Sequence, residues 1–587
     1  MPAPSVREHH GLQTTVEILQ YSANKVPNNV ALRIFRNGQY DEITYREFAE
    51  RVDRFAAGLI RQGIEPGDHV SVLGENRPEW AIAYMAIHRA GAVVVPLDSL
   101  LKAGEFRHII GDAGVKTVIV SSKFVADILE VRDAIGEPTT IICMDDDRAD
   151  ADEGILAMGT VMTDELPETW PDVTLDSLAA IIYTSGTTGQ SKGVMLSQMN
   201  LGSDAAYSYQ TIFFGDNDNF LSVLPLHHTF ECTGGFLLAV YGSSSITYAR
   251  SLKSRDIIED AKNTNATIML GVPLLFEKMM EGIQRKLAQQ PATKRALIST
   301  LFGIEKVGRK VGLKLGGKLF HSLRDKAGLA TLRLLISGGA ALPPHVAEWF
   351  NSLGFLLFQG YGLTETSPVT NINRLDLIVH SSVGQPLPNC EVKIIDAVDG
   401  HGEICVRGPM VMVGYYKNDE ATREVIDEEG WFHTGDIGYL DEIDRLFISG
   451  RKKNVIVTPS GKNVYPEEVE HHINQSPYVL ESLVIGRPII GTTSEDVYAM
   501  IVPHYEYFDE QGTERGKEYT TEEIEKIVRD EVRAAIDNIA EYKRPKQFEI
   551  RSEEFEKTST KKVKRFLYKQ KPISVDENGK NGGKRSR

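Results

Sequence analysis

Cysteine is scarce in this sequence, and the four present, Cys143, Cys232, Cys390 and Cys405, lie far apart with no C-x-x-C pair. That scarcity excludes a disulfide-built framework and a cysteine-ligated structural zinc site, and it fits a reducing compartment. Long apolar runs are also missing: no stretch nears the roughly eighteen uninterrupted apolar residues of a membrane span. Met1 to Gln13 lacks the charged-then-apolar pattern of an export signal, so the expected location is cytoplasmic. Positive charge is in deficit, 65 Lys and Arg against 81 Asp and Glu, for a net charge of −16. This argues against a nucleic-acid partner and requires any cation patch to be local. What remains is ordinary for a soluble enzyme: 587 residues, 42% apolar and 25% charged, enough for two or more domains.

Against that background one stretch stands out, Tyr183-Thr184-Ser185-Gly186-Thr187-Thr188-Gly189-Gln190-Ser191-Lys192-Gly193. Apolar runs lead in (Leu178 to Tyr183) and out (Val194 to Leu196), so it reads as a tight loop between two strands. Glycines let consecutive backbone N–H groups approach an anion, hydroxyls add donors and Lys192 adds a full charge, which together suit phosphate. The spacing is not that of the G-x-x-x-x-G-K-[ST] phosphate loop, because Lys192 follows Ser191 and precedes Gly193.

The same residues resemble the [ST]-S-G-T-T-G-x-P-K-G signature of the adenylate-forming (AMP-binding) superfamily, with Gln190-Ser191 in place of x-Pro. Further segments follow in that family's order. Leu224-Pro225-Leu226-His227-His228 matches its P-x-x-H segment, with His228 at the histidine position and His227 expected to be packing. Cys232 stands where some long-chain enzymes of the family carry a gating tryptophan. Gly338-Gly339-Ala340-Ala341 and Gly360-Tyr361-Gly362-Leu363-Thr364-Glu365-Thr366 each follow a strand-like run, where open α/β sheets place ligands. Asp436 and Arg451 match the ribose contacts, Lys453 the interdomain hinge and Lys562 the catalytic lysine of P-K-T-x-x-G-K-[IV]-x-R. Glu556 and Lys561 depart from that last pattern, which has Pro and Gly there.

The resemblance, covering roughly Thr15 to Arg565, implies an α/β fold. A large multi-subdomain adenylation domain (1–451) would be followed by a small mobile α+β C-terminal domain (452–570) and a basic disordered tail (571–587). It implies Lys562, His228, Thr187 and Thr188 as catalytic residues. Thr184, Ser185, Gly186, Gly189, Lys192, Gly338, Gly339, Ala340, Tyr361, Gly362, Thr364, Asp436 and Arg451 would bind ATP or AMP, Glu365 magnesium and the Gly461 loop coenzyme A. The implied reaction is that of a fatty acyl-CoA synthetase: a fatty carboxylate and ATP give acyl-AMP and pyrophosphate, then coenzyme A displaces AMP. A ligase loading a carrier protein, a luciferase-like oxygenase and a membrane-binding fatty-acid uptake protein stay open as alternatives.

The pattern elsewhere predicts a mostly helical stretch from Thr15 to Pro96, in which strand His69–Leu73, helix Glu79–Ala90 and strand Ala92–Pro96 form one βαβ unit. Strands are expected at Thr117–Val120 and Thr139–Cys143, and an apolar helix at Thr233–Tyr241. The acidic turn Asp145–Glu153 receives no function. Within an insertion spanning 283–330, the segment Arg285–Lys326 carries eleven Lys and Arg against only Glu305 and Asp325, interleaved with Leu297, Leu301, Phe302, Ile304, Val307 and Val311. It reads either as a solvated insertion packed on the domain or as a peripheral contact with an anionic membrane.

Overall fold

The structure is a computed structural model that describes residues 10–145, 153–184, 191–313, 315–375, 378–460, 462–490, 492, 494–537, 539–557 and 563–568. The chain divides into two compact units. The first comprises Met1–Val392, Val406–His433 and Asp441–Leu446; the second gathers Lys393–Cys405, Thr434–Leu440 and Phe447–Arg587.

Two large sheets form the first unit. One runs in the order Gly414–Tyr415, Lys192–Ser197, Leu178–Thr184, Val93–Pro96, His69–Leu73, Thr117–Val120, Thr140–Cys143, Ile155–Ala157. From Leu178–Thr184 to Ile155–Ala157 the neighbours are parallel. Val93–Pro96 and Thr117–Val120 are buried at every position, as expected of strands covered by helices on both faces. Leu178–Thr184 and Lys192–Ser197 pair antiparallel, with Thr184 opposite Lys192, so the glycine-rich stretch does join two strands.

The other sheet contains the parallel neighbours Asn219–Ser222, Ile268–Gly271, Leu334–Ser337 and Leu356–Gly362. Parallel pairing puts their C-terminal ends on one edge. The His228 segment, Gly338–Ala340 and the Thr364 turn all leave from that edge. Beneath it packs a core that includes Leu221, Met269, Phe276, Leu335, Phe350 and Leu357.

Three expectations are corrected. Residues 30–44 are not helical; Val30–Arg36 and Gln39–Thr44 form an antiparallel hairpin on the sheet's edge, where the half-polar sequence needs only one buried side. The strand expected to stop at Gln359 continues to Gly362, because Val369–Ile372 pairs antiparallel with its end. A Cβ on Gly362 would lie 1.7 Å from the Pro368 carbonyl oxygen, so close strand approach explains that glycine. Finally, Thr233–Tyr241 is not a single α-helix: Cys232–Leu237 is π-helical and only Leu238–Tyr241 is α-helical. The wide turn lies above the Glu231 carboxyl, which a Cβ on Gly235 would meet at 2.6 Å.

The second unit includes most of a four-stranded sheet ordered Glu391–Val398, His401–Arg407, Phe432–Leu440, Leu446–Arg451. It also holds a three-stranded sheet of Val479–Pro488, Glu495–Pro503 and Gln547–Ile550. Helices Pro466–Ile473 and Thr521–Ile536 supply Val469, Ile473, Val528, Val532 and Ile536 to the core over that sheet. Among the described residues no helix is long and apolar enough to cross a membrane.

Candidate active site

In the first unit the site is assembled by backbone pairing. Gly414–Tyr415 runs antiparallel to Lys192–Ser197, with Tyr415 opposite Val194 and the Tyr416 N–H donating to the Gly193 carbonyl at 2.7 Å. This places the Lys192 ammonium over the Tyr415 ring, 4.9 Å from its centroid. The Tyr415 hydroxyl donates to Glu365 Oε1 at 2.9 Å. Burial first, and then the Glu365 charge, push the phenol pKa well up, so the hydroxyl stays a donor. The Met412 N–H binds the Glu365 carbonyl at 2.8 Å and the Ser367 hydroxyl the Met410 carbonyl at 2.9 Å, fixing the Thr364–Thr366 turn against the same segment.

The His228 segment is held from both sides. The Asn76 amide donates to the Leu224 carbonyl at 2.6 Å and its oxygen accepts from the Leu226 N–H at 3.0 Å. Past the histidine, the Thr229 hydroxyl reaches the Thr364 hydroxyl at 3.3 Å, so the structure brings the His228 segment and the Thr364-Glu365 turn together. His227 is buried, with Nε2 3.2 Å from Asp98 Oδ1. Gly338 has a steric reason beyond ligand approach, since a Cβ there would meet the Phe230 ring at 2.8 Å. Gly339 has φ +81°, a left-handed conformation that disfavours any side chain, and lies exposed beside exposed Ala340. Tyr361 sits on the strand end, partly buried.

Cys232, where a tryptophan gate would stand, is buried against Tyr84, and burial pushes its thiol up to about 12, leaving it an inert core group. Its neighbour Glu231 is 1% exposed. Burial pushes that carboxyl up to about 8; neither oxygen completes a hydrogen bond of full geometry, although the Ser222 hydroxyl and Leu224 N–H come near enough to offset part of the rise.

In the second unit Arg451 Nε lies 2.7 Å from Asp436 Oδ1, so the two expected ribose contacts are brought together as an ion pair. Lys452 pairs with Glu403 at 2.6 Å, and Lys453 beside it is exposed. Arg565 donates to Glu470 Oε2 at 2.5 Å and to the Val484 carbonyl at 2.9 Å, anchoring the chain just past Lys562. Ser185, Gly186, Thr187, Thr188, Gly189, Gly461, Lys561 and Lys562 lie outside the described residues.

Comparison with known proteins decides the family. Residues 19–416 match the model of the AMP-binding enzyme and residues 468–562 that of the AMP-binding enzyme C-terminal domain. The chain belongs to the AMP-binding enzyme family. Similar members include the long-chain-fatty-acid–CoA ligase of Escherichia coli O157:H7, 31% identical over 78% of this chain and 81% of that one. The peroxisomal long chain acyl-CoA synthetase 7 of Arabidopsis thaliana is 29% identical over 76% of this chain and 67% of its own. Among solved structures, ATP-bound MatB from Rhodopseudomonas palustris superposes with a TM-score of 0.74 at 26% identity, covering 95% of this chain and 98% of that one. MenE from Bacillus subtilis, in complex with ATP and magnesium ion, shares the fold at a TM-score of 0.71 and 23% identity, covering 94% and 99%.

Within this AMP-binding enzyme, Tyr415 is the site residue that sequence reasoning missed. Its signal was the Gly414-Tyr415-Tyr416 triplet a few residues past Gly408, which only strand pairing connects to Lys192.

Proposed function

We propose that this chain is an ATP-dependent fatty acid–CoA ligase that forms acyl-AMP and pyrophosphate and then passes the acyl group to coenzyme A, releasing AMP. The observation that carries the reading is the Lys192–Tyr415–Glu365 assembly beside the His228 segment: a cation for phosphate and a carboxylate for a metal ion, next to a histidine suited to the acyl carboxylate. A hard divalent ion fits Glu365, whose Oε2 has no hydrogen-bond partner among the described residues. Magnesium bound there would offset charge on the phosphate oxygens, the electrostatic obstacle when two anions meet. Lys192, with Thr184, Ser185, Gly186, Thr187, Thr188 and Gly189, would hold the phosphates. Gly338, Gly339, Ala340, Tyr361 and Gly362 would border the adenine, Thr364 the phosphate, and Asp436 with Arg451 the ribose. His228 and Lys562 would face the carboxyl–phosphate centre.

Lys562 and the coenzyme A thiol cannot occupy one face of that centre together. The small domain, from Lys452 onward, would therefore turn at Lys453 to exchange Lys562 for the Gly461 loop. Lys562→Ala is expected to slow acyl-AMP formation about a hundredfold, the ~3 kcal/mol of one transition-state contact, while added acyl-AMP is converted to thioester at near-parental rate. Lys561→Ala is the control and should behave as the parent. Parallel loss of both half-reactions would refute the exchange. Release of free acyl-CoA, against transfer to a carrier protein, separates the ligase from the carrier-loading alternative.

The helix Ala292–Lys310 supports a peripheral membrane contact within 285–326. One face, with Ile298, Leu301 and Phe302, packs on the core; the adjoining stripe leaves Leu297 60%, Ile304 47% and Val307 65% exposed. Lys294, Arg295 and Lys306 are exposed on the same helix, which thus offers both apolar and cationic groups to anionic lipid. Arg309 belongs to the packed side, paired with buried Glu305 at 2.8 Å.

A further inference from the structure

Lys192 and Glu365 both contact the phenol of Tyr415. The ammonium lies over the ring of Tyr415 and the carboxylate accepts from its hydroxyl. Two opposite charges this near attract strongly in a partly buried site, and with nothing between them they would close into an ion pair. Such a pair would cancel the charges that phosphate and metal ion need. The phenol satisfies both without transferring charge: its electron-rich face receives the cation, and its hydroxyl gives the anion a hydrogen bond. Tyr415 is itself fixed, being 6% exposed, with its backbone N–H donating to Thr422 Oγ1 at 2.9 Å and its strand paired to that of Lys192. Glu365 is held separately through its carbonyl by Met412. Lys192 makes no ion pair among the described residues.

We propose that Tyr415 is a positioning residue that keeps Lys192 and Glu365 apart and oriented, the lysine for phosphate and the carboxylate, through Oε2, for the metal ion. This rests on the roles given to those two residues above. The test is binding of a fluorescent non-hydrolysable ATP analogue, titrated against magnesium, for the parent, Tyr415→Phe, Tyr415→Leu and Glu365→Gln. Tyr415→Phe keeps the ring under Lys192 and removes the hydroxyl. It should raise the magnesium concentration for half-maximal binding about tenfold, the size of a lost bond to a charged group, and leave magnesium-free binding unchanged. Tyr415→Leu should do the same and also weaken magnesium-free binding several-fold, because Lys192 can then close on Glu365. If Glu365→Gln leaves the magnesium dependence as in the parent, the metal role of Glu365 itself fails. If Glu365→Gln shifts it and Tyr415→Phe does not, that role stands and the positioning role of Tyr415 is overturned. A lowered unfolding temperature in Tyr415→Phe without a shift in magnesium dependence also overturns it, marking the hydroxyl as packing alone.

Discussion

Glu365 and Asp436 are two carboxylates in candidate nucleotide-contact positions, and their surroundings hold them in opposite ways. Glu365, in the first unit, is tied through Oε1 to the neutral Tyr415 hydroxyl. Asp436, in the second, is 4% exposed and faces the Arg451 guanidinium at 2.7 Å, which offsets its charge. The difference matches the ligands assigned to them. A divalent cation is attracted by an uncompensated carboxylate, whereas a neutral ribose diol needs an acceptor whose burial is already stabilised by a cation.

The comparison can be broken most directly by exchanging charge for amide at each position. Glu365→Gln should lower the pyrophosphate-release rate about a hundredfold at fixed magnesium and recover in part as magnesium is raised. Asp436→Asn should lower kcat/KM for ATP about tenfold with the magnesium dependence unchanged. Matching magnesium profiles in the two variants would erase the distinction.

Glu231 sharpens it by supplying a third carboxyl, buried with no cation beside it and only partial contacts from the Ser222 hydroxyl and Leu224 N–H. Its folded pKa of about 8 lies above the ordinary carboxyl value, so its contribution to stability is full below about pH 4 and is lost as pH rises through about 8. The slope should approach at most ~1.4 kcal/mol per pH unit, and Glu231→Gln should flatten the fall in unfolding temperature between about pH 5 and pH 8. An unchanged pH profile in that variant would show that Glu231 is charged in its pocket.

The surface is tested through lipid binding. Replacing Lys294, Arg295 and Lys306 with Gln should weaken cosedimentation with anionic vesicles, at ~1 kcal/mol per cation. Leu297→Ser with Val307→Ser should weaken it by a similar factor, while pyrophosphate release in the absence of lipid stays at the parental rate. Equal binding by all three proteins would favour the packed insertion without membrane contact.

The elements legible in the sequence share a physical basis. Strands buried on both faces, such as Val93–Pro96, announce themselves as β-branched runs. The Val30–Thr44 hairpin was missed because an edge hairpin with half-polar strands carries no such signal. The basic segment was legible as amphipathic, yet its pattern did not separate the apolar residues that pack from those that remain exposed. That division between Leu301 and Leu297 is made by what the helix lies against.

By itself, then, the sequence determined the family and the order of its motifs and nominated the candidate site residues, because adenylate chemistry needs particular side chains at short, local spacings. The tertiary structure alone decided which of them act on one another. Lys192, Glu365 and Tyr415 are far apart along the chain, and only the antiparallel pairing of Gly414–Tyr415 with Lys192–Ser197 brings a cation and an anion to one phenol. Asp436 and Arg451 acquire their opposite character in the same way, because the charge a carboxylate presents depends on the neighbour that folding brings to it.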